Sequence, residues 1–467
     1  MRKYVLALAT FVAGSASAQQ PDRMRFEVRY SQPLAVMQFV QGLSSRNGRP
    51  NPFRTVFIAS EFNTPKYIAL AAALDSMPLG VEYDFPDYPP GQKIGGWVEA
   101  MIKRNLIISS NLDEFRNMSV GIMPLSDITR LVTVIREFTP VYEKLVYEPA
   151  KPVFDKQLES IDSLIAARDI PQYFGQAKRF YRASWDPSIP FILVFYPYPT
   201  SGGFLATAFG NIGLSAMPTS GTDISSVLSV MLHEAAHILF DEESLEFKTA
   251  IHNWFGANPA RSSRYAYALL NESWATAVAN GYFREKLIGS LNTGNWYGSK
   301  YISEMAKAMY PFIKEYLETG KPMDKALVDK QVEMYETRFP GWLTEWENLL
   351  VAPVILSENE ADFAVIRKKS RSLYPETRAN DYSASSFEKL KKDQTKVVVV
   401  RGDNKRKLEL IRTNFPELKS WSPDPKKDFT YATMTSDKRV LIVINLLNST
   451  LEQQLETKLE LHHQPRV

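Results

Sequence analysis

The sequence predicts an α+β fold, with strands and helices segregated along the chain. Three observations point there. Before Pro190 the apolar positions recur mostly at helical spacing. From Phe191 a β-type run, Phe191-Ile192-Leu193-Val194-Phe195-Tyr196, opens a short set of strands that gives way to long helices. Near the C-terminus, Val397 to Val400 and Val440 to Asn445 read as strands around a helix from Asn404 to Phe415. At 467 residues one hydrophobic core does not serve the whole chain. The expected division is a signal peptide over 1–18, a mostly helical N-terminal region over 19–150, a central domain over 151–350, a linker over 351–395 and a small α/β domain over 396–467.

Met1-Arg2-Lys3 supplies positive charge, Tyr4 to Gly14 is apolar, and Ala16-Ser17-Ala18 is small. That order is a secretory signal, cut after Ala18, and its apolar run is too short to span a bilayer. No later stretch approaches the roughly 20 apolar residues of a membrane helix. A periplasmic or secreted bacterial protein is expected. The net charge of +3 gives no argument for nucleic acid or an anionic membrane as partner. Cysteine is absent. Disulfides are therefore excluded, and any transition-metal site must use histidine and carboxylate.

Thr64 to Asp75 and Trp97 to Leu106 have helical spacing. Pro86, Pro89 and Pro90 make Asp84 to Gln92 a loop. Ser126 to Leu145 reads as a helix broken at Pro140, and Phe154 to Ala167 as a second helical unit. Gly202-Gly203 is a turn. Phe204 to Phe209 and Ile212 to Met217 read as strands joined at Gly210-Asn211. Asp223 caps a helix from Ile224 to Phe240, dense enough in apolar residues to be largely buried. Further helices are expected over Tyr265 to Gly281, Tyr301 to Leu317 and Asp324 to Thr337, that from Tyr301 closed by Gly320 and Pro322. Lys368-Lys369 and Lys391-Lys392 mark the charged linker.

The chemistry concentrates in His233-Glu234-Ala235-Ala236-His237. Residues i and i+4 share a helix face, so both imidazoles can reach one ion. Glu234 follows the first histidine directly and can act as a base toward a water activated by that ion. With 5 histidines in the chain, a chance match to this pattern is expected at roughly a few per thousand. Two imidazoles leave a catalytic zinc short of a third protein ligand. Only His252, His462 and His463 remain; the extended motif His-Glu-x-x-His-x-x-Gly-x-x-His fails, since Phe240 stands at its glycine position and no histidine follows at the required spacing. A carboxylate is the better candidate. Glu272, 35 residues after His237, sits on the next long helix among Leu269, Ala275, Thr276 and Ala279. A carboxylate in such company is costly to bury unless it meets a cation.

The pairing of His-Glu-x-x-His with a downstream Asn271-Glu272-x-x-Ala275 resembles the gluzincin metallopeptidases, over about a third of the chain. The resemblance implies a zincin-like catalytic domain with a small mixed sheet whose antiparallel edge strand lies above the metal. It implies Zn(2+) as cofactor, held by His233, His237 and Glu272, with Glu234 as general base. It implies a peptide or protein substrate, bound in extended form along the edge strand. Asp241 and Asn271 are the candidates to orient the imidazoles. A tyrosine or histidine to stabilise the oxyanion is usual; Tyr335 ranks first, ahead of His252, Tyr301 and Tyr310. Two departures stand out. Thr276 occupies the position where thermolysin-like members carry an aspartate, and no Gly-x-Met-x-Asn exopeptidase strand lies upstream. Two other readings remain open from the residues alone: a non-catalytic zincin-like protein that binds peptide or glycan, and a zinc hydrolase of a non-peptide amide.

Overall fold

The computed structural model of the chain describes residues 23–44, 51–83, 85, 87–89, 92, 93, 95–201, 205–220, 223–351, 353–370, 376–391, 395–456 and 459. The expected signal peptide, part of the proline loop 84–92 and the Gly202-Gly203 turn lie outside the described residues. The class is α+β, mostly helical, with small mixed sheets. Among the described residues no helix is long and apolar enough to cross a membrane.

The strands are β1 (Phe26–Arg29), β2 (Glu82–Tyr83), β3 (Gly96–Trp97), β4 (Phe191–Tyr198), β5 (Ala206–Phe209) and β6 (Ile212–Pro218). Four of them form one sheet in the order β1-β4-β6-β5. β1, β4 and β6 run parallel; β5 turns back antiparallel at the edge, through Gly210 at φ 57°. β2 and β3 form a separate two-stranded ribbon. β4 runs on through Pro197 to Tyr198. Proline is tolerated there because β1 pairs only with Phe191 to Val194, so the missing N–H has no ladder partner to lose.

Strand alternation gives this sheet two buried faces. Phe191, Leu193, Phe195 and Met217 share a core with the helix that bears the histidine motif, through Val227, Met231 and Leu232. Ile192, Val194, Tyr196, Ile212, Leu214 and Ala216 share a second core with N-terminal helices, through Leu34, Phe39, Phe53, Leu131 and Phe138. The region 19–150 is therefore not a self-contained domain. It supplies strand β1 and covers one whole face of the central sheet.

Pro140 does not break its helix. Leu125–Tyr142 passes through it, continues into a π-helical turn (Glu143–Tyr147), and enters Glu148–Ala167. Phe138, Val141 and Tyr142 are fully buried around the proline, so packing outweighs the roughly 3 kcal/mol cost of proline inside a helix.

The segment 351–395 is not a linker. β7 (Pro353–Leu356), the helix Glu360–Ser370, β8 (Thr377–Ala379) and the helix Ala384–Leu390 join β9 (Thr395–Arg401), β10 (Phe429–Met434) and β11 (Val440–Leu446). Their sheet has the order β10-β11-β9-β7-β8, parallel except for β10. The charge that suggested a linker stands mostly on helix surfaces. The apolar run that enters the sheet, Val354 to Leu356, is only three residues long, too short to stand out as a strand in the sequence.

A chain lacking residues 19–150 should lose cooperative unfolding, because one apolar face of β4 and β6 would meet water. Calorimetry measures this. A soluble truncated chain with a single sharp transition would contradict the shared core.

Candidate metal centre

The motif helix spans Ile224–Asp241, and Asp223 caps it by accepting from the Ser225 N–H. It lies against the sheet at a close approach that Gly213 permits. A Cβ at Gly213 would stand 3.0 Å from Met231 Cε and 4.0 Å from Glu234 Cβ. On its other side is the segment that carries Glu272. The expected single helix there is a succession: Leu270–Thr276, a π-helical stretch Ala277–Phe283, and Arg284–Ile288. Such π-helical stretches recur at functional sites. The small side chains Ala235, Ala236, Ala275 and Ala279, all buried, let these two helical segments come close.

This crossing brings three ligand atoms together. Nε2 of His237 lies 3.0 Å from Nε2 of His233. Oε2 of Glu272 lies 3.5 Å from the first imidazole and 3.6 Å from the second. Edges of 3.0, 3.5 and 3.6 Å define a circle of radius about 2.0 Å, and metal bonds to imidazole nitrogen and carboxylate oxygen are about 2.0–2.2 Å. An ion at the point common to the three atoms would be within reach of all of them. The separations from Glu272 are at or beyond hydrogen-bond length, and its Oε2 is buried with no hydrogen-bond partner among the described residues. The cluster His233, His237 and Glu272 could therefore hold a metal ion.

The electrostatics agree. Both histidines are 8% exposed. Burial alone would raise the Glu272 pKa, but the two imidazoles reverse that and hold its carboxyl well below the usual range. Burial likewise opposes charge on His237; Glu272, then Glu234 and Asn271, outweigh it and push its pKa up to about 9. The site is thus arranged for a positive charge. Asn271 Oδ1 lies 2.8 Å from His237 Nδ1. An amide oxygen there accepts, which assigns the ring proton to Nδ1 and turns the Nε2 lone pair toward the cluster.

The other sequence candidates divide. Glu234 is half-buried on the motif helix, close enough to His237 to raise its pKa. Asp241 is engaged elsewhere: its carboxylate pairs with Lys93 at 3.0 Å, while Asn271 takes the Nδ1 side of His237. Tyr335 is fully buried, edge-on against Phe339 and Trp342, and its enclosed hydroxyl is not presented to a substrate. Tyr301 pairs with Glu345, Tyr310 with Glu285, and His252 packs against Tyr267.

The tyrosine at the site is Tyr297. Its ring centroid is 5.9 Å from that of His233. Burial, and then the Glu272 carboxylate, hold its hydroxyl protonated, above the usual phenol range. It stands in a glycine- and asparagine-rich loop pinned by its neighbour. The Trp296 N–H donates to Ser303 Oγ (3.0 Å), the indole N–H to the Asn292 carbonyl (2.7 Å), and the Trp296 carbonyl accepts from Asn280 (2.6 Å). No helical or strand periodicity marks this residue. The only sequence signal is an aromatic pair, Trp296-Tyr297, in an otherwise polar loop.

No family model, curated protein or solved structure matches this chain.

Asn271→Ala is expected to weaken metal binding about 10–100-fold and leave the fold intact. Competition with a chelator of known affinity measures it. Unchanged affinity would mean that Asn271 does not orient His237.

Proposed function

We propose that this protein is an exported zinc-dependent metallopeptidase of the gluzincin type, acting on peptide or protein substrates. The observation that carries the reading is the convergence of His233, His237 and Glu272 around one point, with Glu234 on the same helix. Two imidazoles and a carboxylate, without thiolate, are the donor set of an open catalytic zinc site. When bound, zinc would supply a Lewis acid and make a water acidic near neutral pH.

The chain's own residues have separable tasks. The Glu234 carboxylate accepts a proton from the attacking water and passes it to the leaving nitrogen. Asn271 keeps His237 in one tautomer and orientation. The Tyr297 hydroxyl, held protonated, donates to the charge that develops on the carbonyl oxygen. β5, at the sheet edge beside the motif helix, offers backbone groups to an extended peptide. A protein that only binds peptide or glycan has no need of Glu234, and this residue favours turnover.

Glu234→Gln should keep zinc and lose peptide cleavage by about 10²–10⁴-fold. Glu272→Ala should lose zinc. Tyr297→Phe should lower kcat by about 10²–10³-fold with KM and zinc content unchanged. Metal analysis beside peptide hydrolysis checks all three. A wild-type protein without zinc, or a Glu234→Gln variant as active as wild type, would overturn the proposal.

A further inference from the structure

A cavity of about 270 Å³ opens where the N-terminal region meets the edge of the central sheet. One wall is the β2–β3 ribbon and the helix that follows it, Val98–Ile108. The other is the end of β5 together with the last turn of the motif helix. Its surface is mainly apolar and aromatic: Tyr83, Phe85, Trp97, Met101, Phe209 and Ile238. The charges around it are balanced. Lys93 and Arg104 face Asp241 and Glu242, and Lys93 lies 3.0 Å from Asp241 and 3.6 Å from Glu242. An ionic ligand has little to recognise there. An apolar group gains by leaving water.

The position matters as much as the lining. Ile238 directly follows His237, and a helix rises about 1.5 Å per residue, so the cavity begins within a turn of the ligand cluster. Phe209 and Ala208 end the edge strand, which packs on the motif helix that carries that cluster. A peptide extended along β5 would place side chains on this side about every 7 Å. The volume is below the roughly 300–1,000 Å³ of small-molecule sites and suits a single large side chain.

We propose that this cavity is a specificity pocket for a large apolar side chain, aromatic by preference, on a peptide lying along β5. The inference rests on the peptidase reading for the placement of the peptide. It assigns a role to the N-terminal region: Tyr83, Phe85, Trp97 and Met101 stand in a wall of the substrate cleft. Tyr83 is seated by glycine, since a Cβ at Gly96 would stand 1.9 Å from its ring. Gly96→Val must therefore displace a wall residue, while Met101→Trp fills the cavity from the helix in the same wall.

The test is peptide binding, read by fluorescence anisotropy on the full-length Glu234→Gln protein. Labelled peptides carry either one phenylalanine or one alanine in an otherwise constant polar sequence. The phenylalanine peptide should bind about tenfold tighter or more. Adding Met101→Trp, or separately Gly96→Val, should remove that preference while thermal unfolding stays cooperative. Equal binding of the two peptides would overturn the pocket, as would a preference that survives both substitutions. Hydrolysis by the otherwise wild-type chain separates the two proposals. Cleavage without phenylalanine preference leaves the peptidase standing and removes the pocket. Phenylalanine-selective binding without cleavage does the reverse.

Discussion

A carboxylate buried beside two imidazoles must be compensated, and much of the central architecture serves that requirement. Glu272 keeps only 15% of its side-chain surface in water. Uncompensated, such a group costs several kcal/mol and takes up a proton instead. Here its charged form is strongly favoured, and among the described residues its buried oxygen has no hydrogen-bond partner. A cation at the common point of the three ligand atoms resolves both facts. The alanines between the helical segments, Gly213 under Glu234 and the Asn271 contact to His237 all act to keep that point defined.

The sheet explains why so much chain surrounds so small a site. β4 and β6 are buried on both faces, as parallel strands usually are. One face supports the motif helix. The other needs the N-terminal helices, which then extend past the sheet edge to form the far wall of the cavity at Phe209 and Ile238. Stability and cleft shape thus draw on the same N-terminal segment. The C-terminal sheet docks on the half that bears the ligand cluster through particular contacts: the Tyr265 hydroxyl meets Thr395 Oγ1 at 3.0 Å and accepts from the Val440 N–H at 3.0 Å.

What the sequence disclosed follows the range of the interaction involved. His233, Glu234 and His237 were legible because their geometry is local, set by one helical turn. Glu272 was legible from three signs together: absent cysteine, scarce histidine and an Asn-Glu context that resembles the gluzincins. Asn271 came with it as a neighbour. The bounds of the helices Ile224–Asp241, Lys300–Thr319 and Lys325–Arg338 and the β5–β6 hairpin followed from turn residues and periodicity. Contacts between distant segments were not legible. Asp241 stands one turn after His237, yet a lysine 148 residues upstream claims it. Tyr335 has a plausible spacing, but burial among aromatic rings decides its place. Tyr297 sits in a loop without periodicity. β1 is four residues long and acquires its meaning only by pairing with β4. Pro140 shows the same limit, because tertiary burial overrides a local rule.

The central claim is that His233, His237 and Glu272 hold one metal ion. A crystal of the protein grown with zinc, measured on both sides of the zinc absorption edge, tests it directly. A single anomalous peak is predicted, about 2.0–2.2 Å from Nε2 of His233, Nε2 of His237 and Oε2 of Glu272. No peak there, or one bound by the imidazoles with Glu272 turned away, would contradict the account.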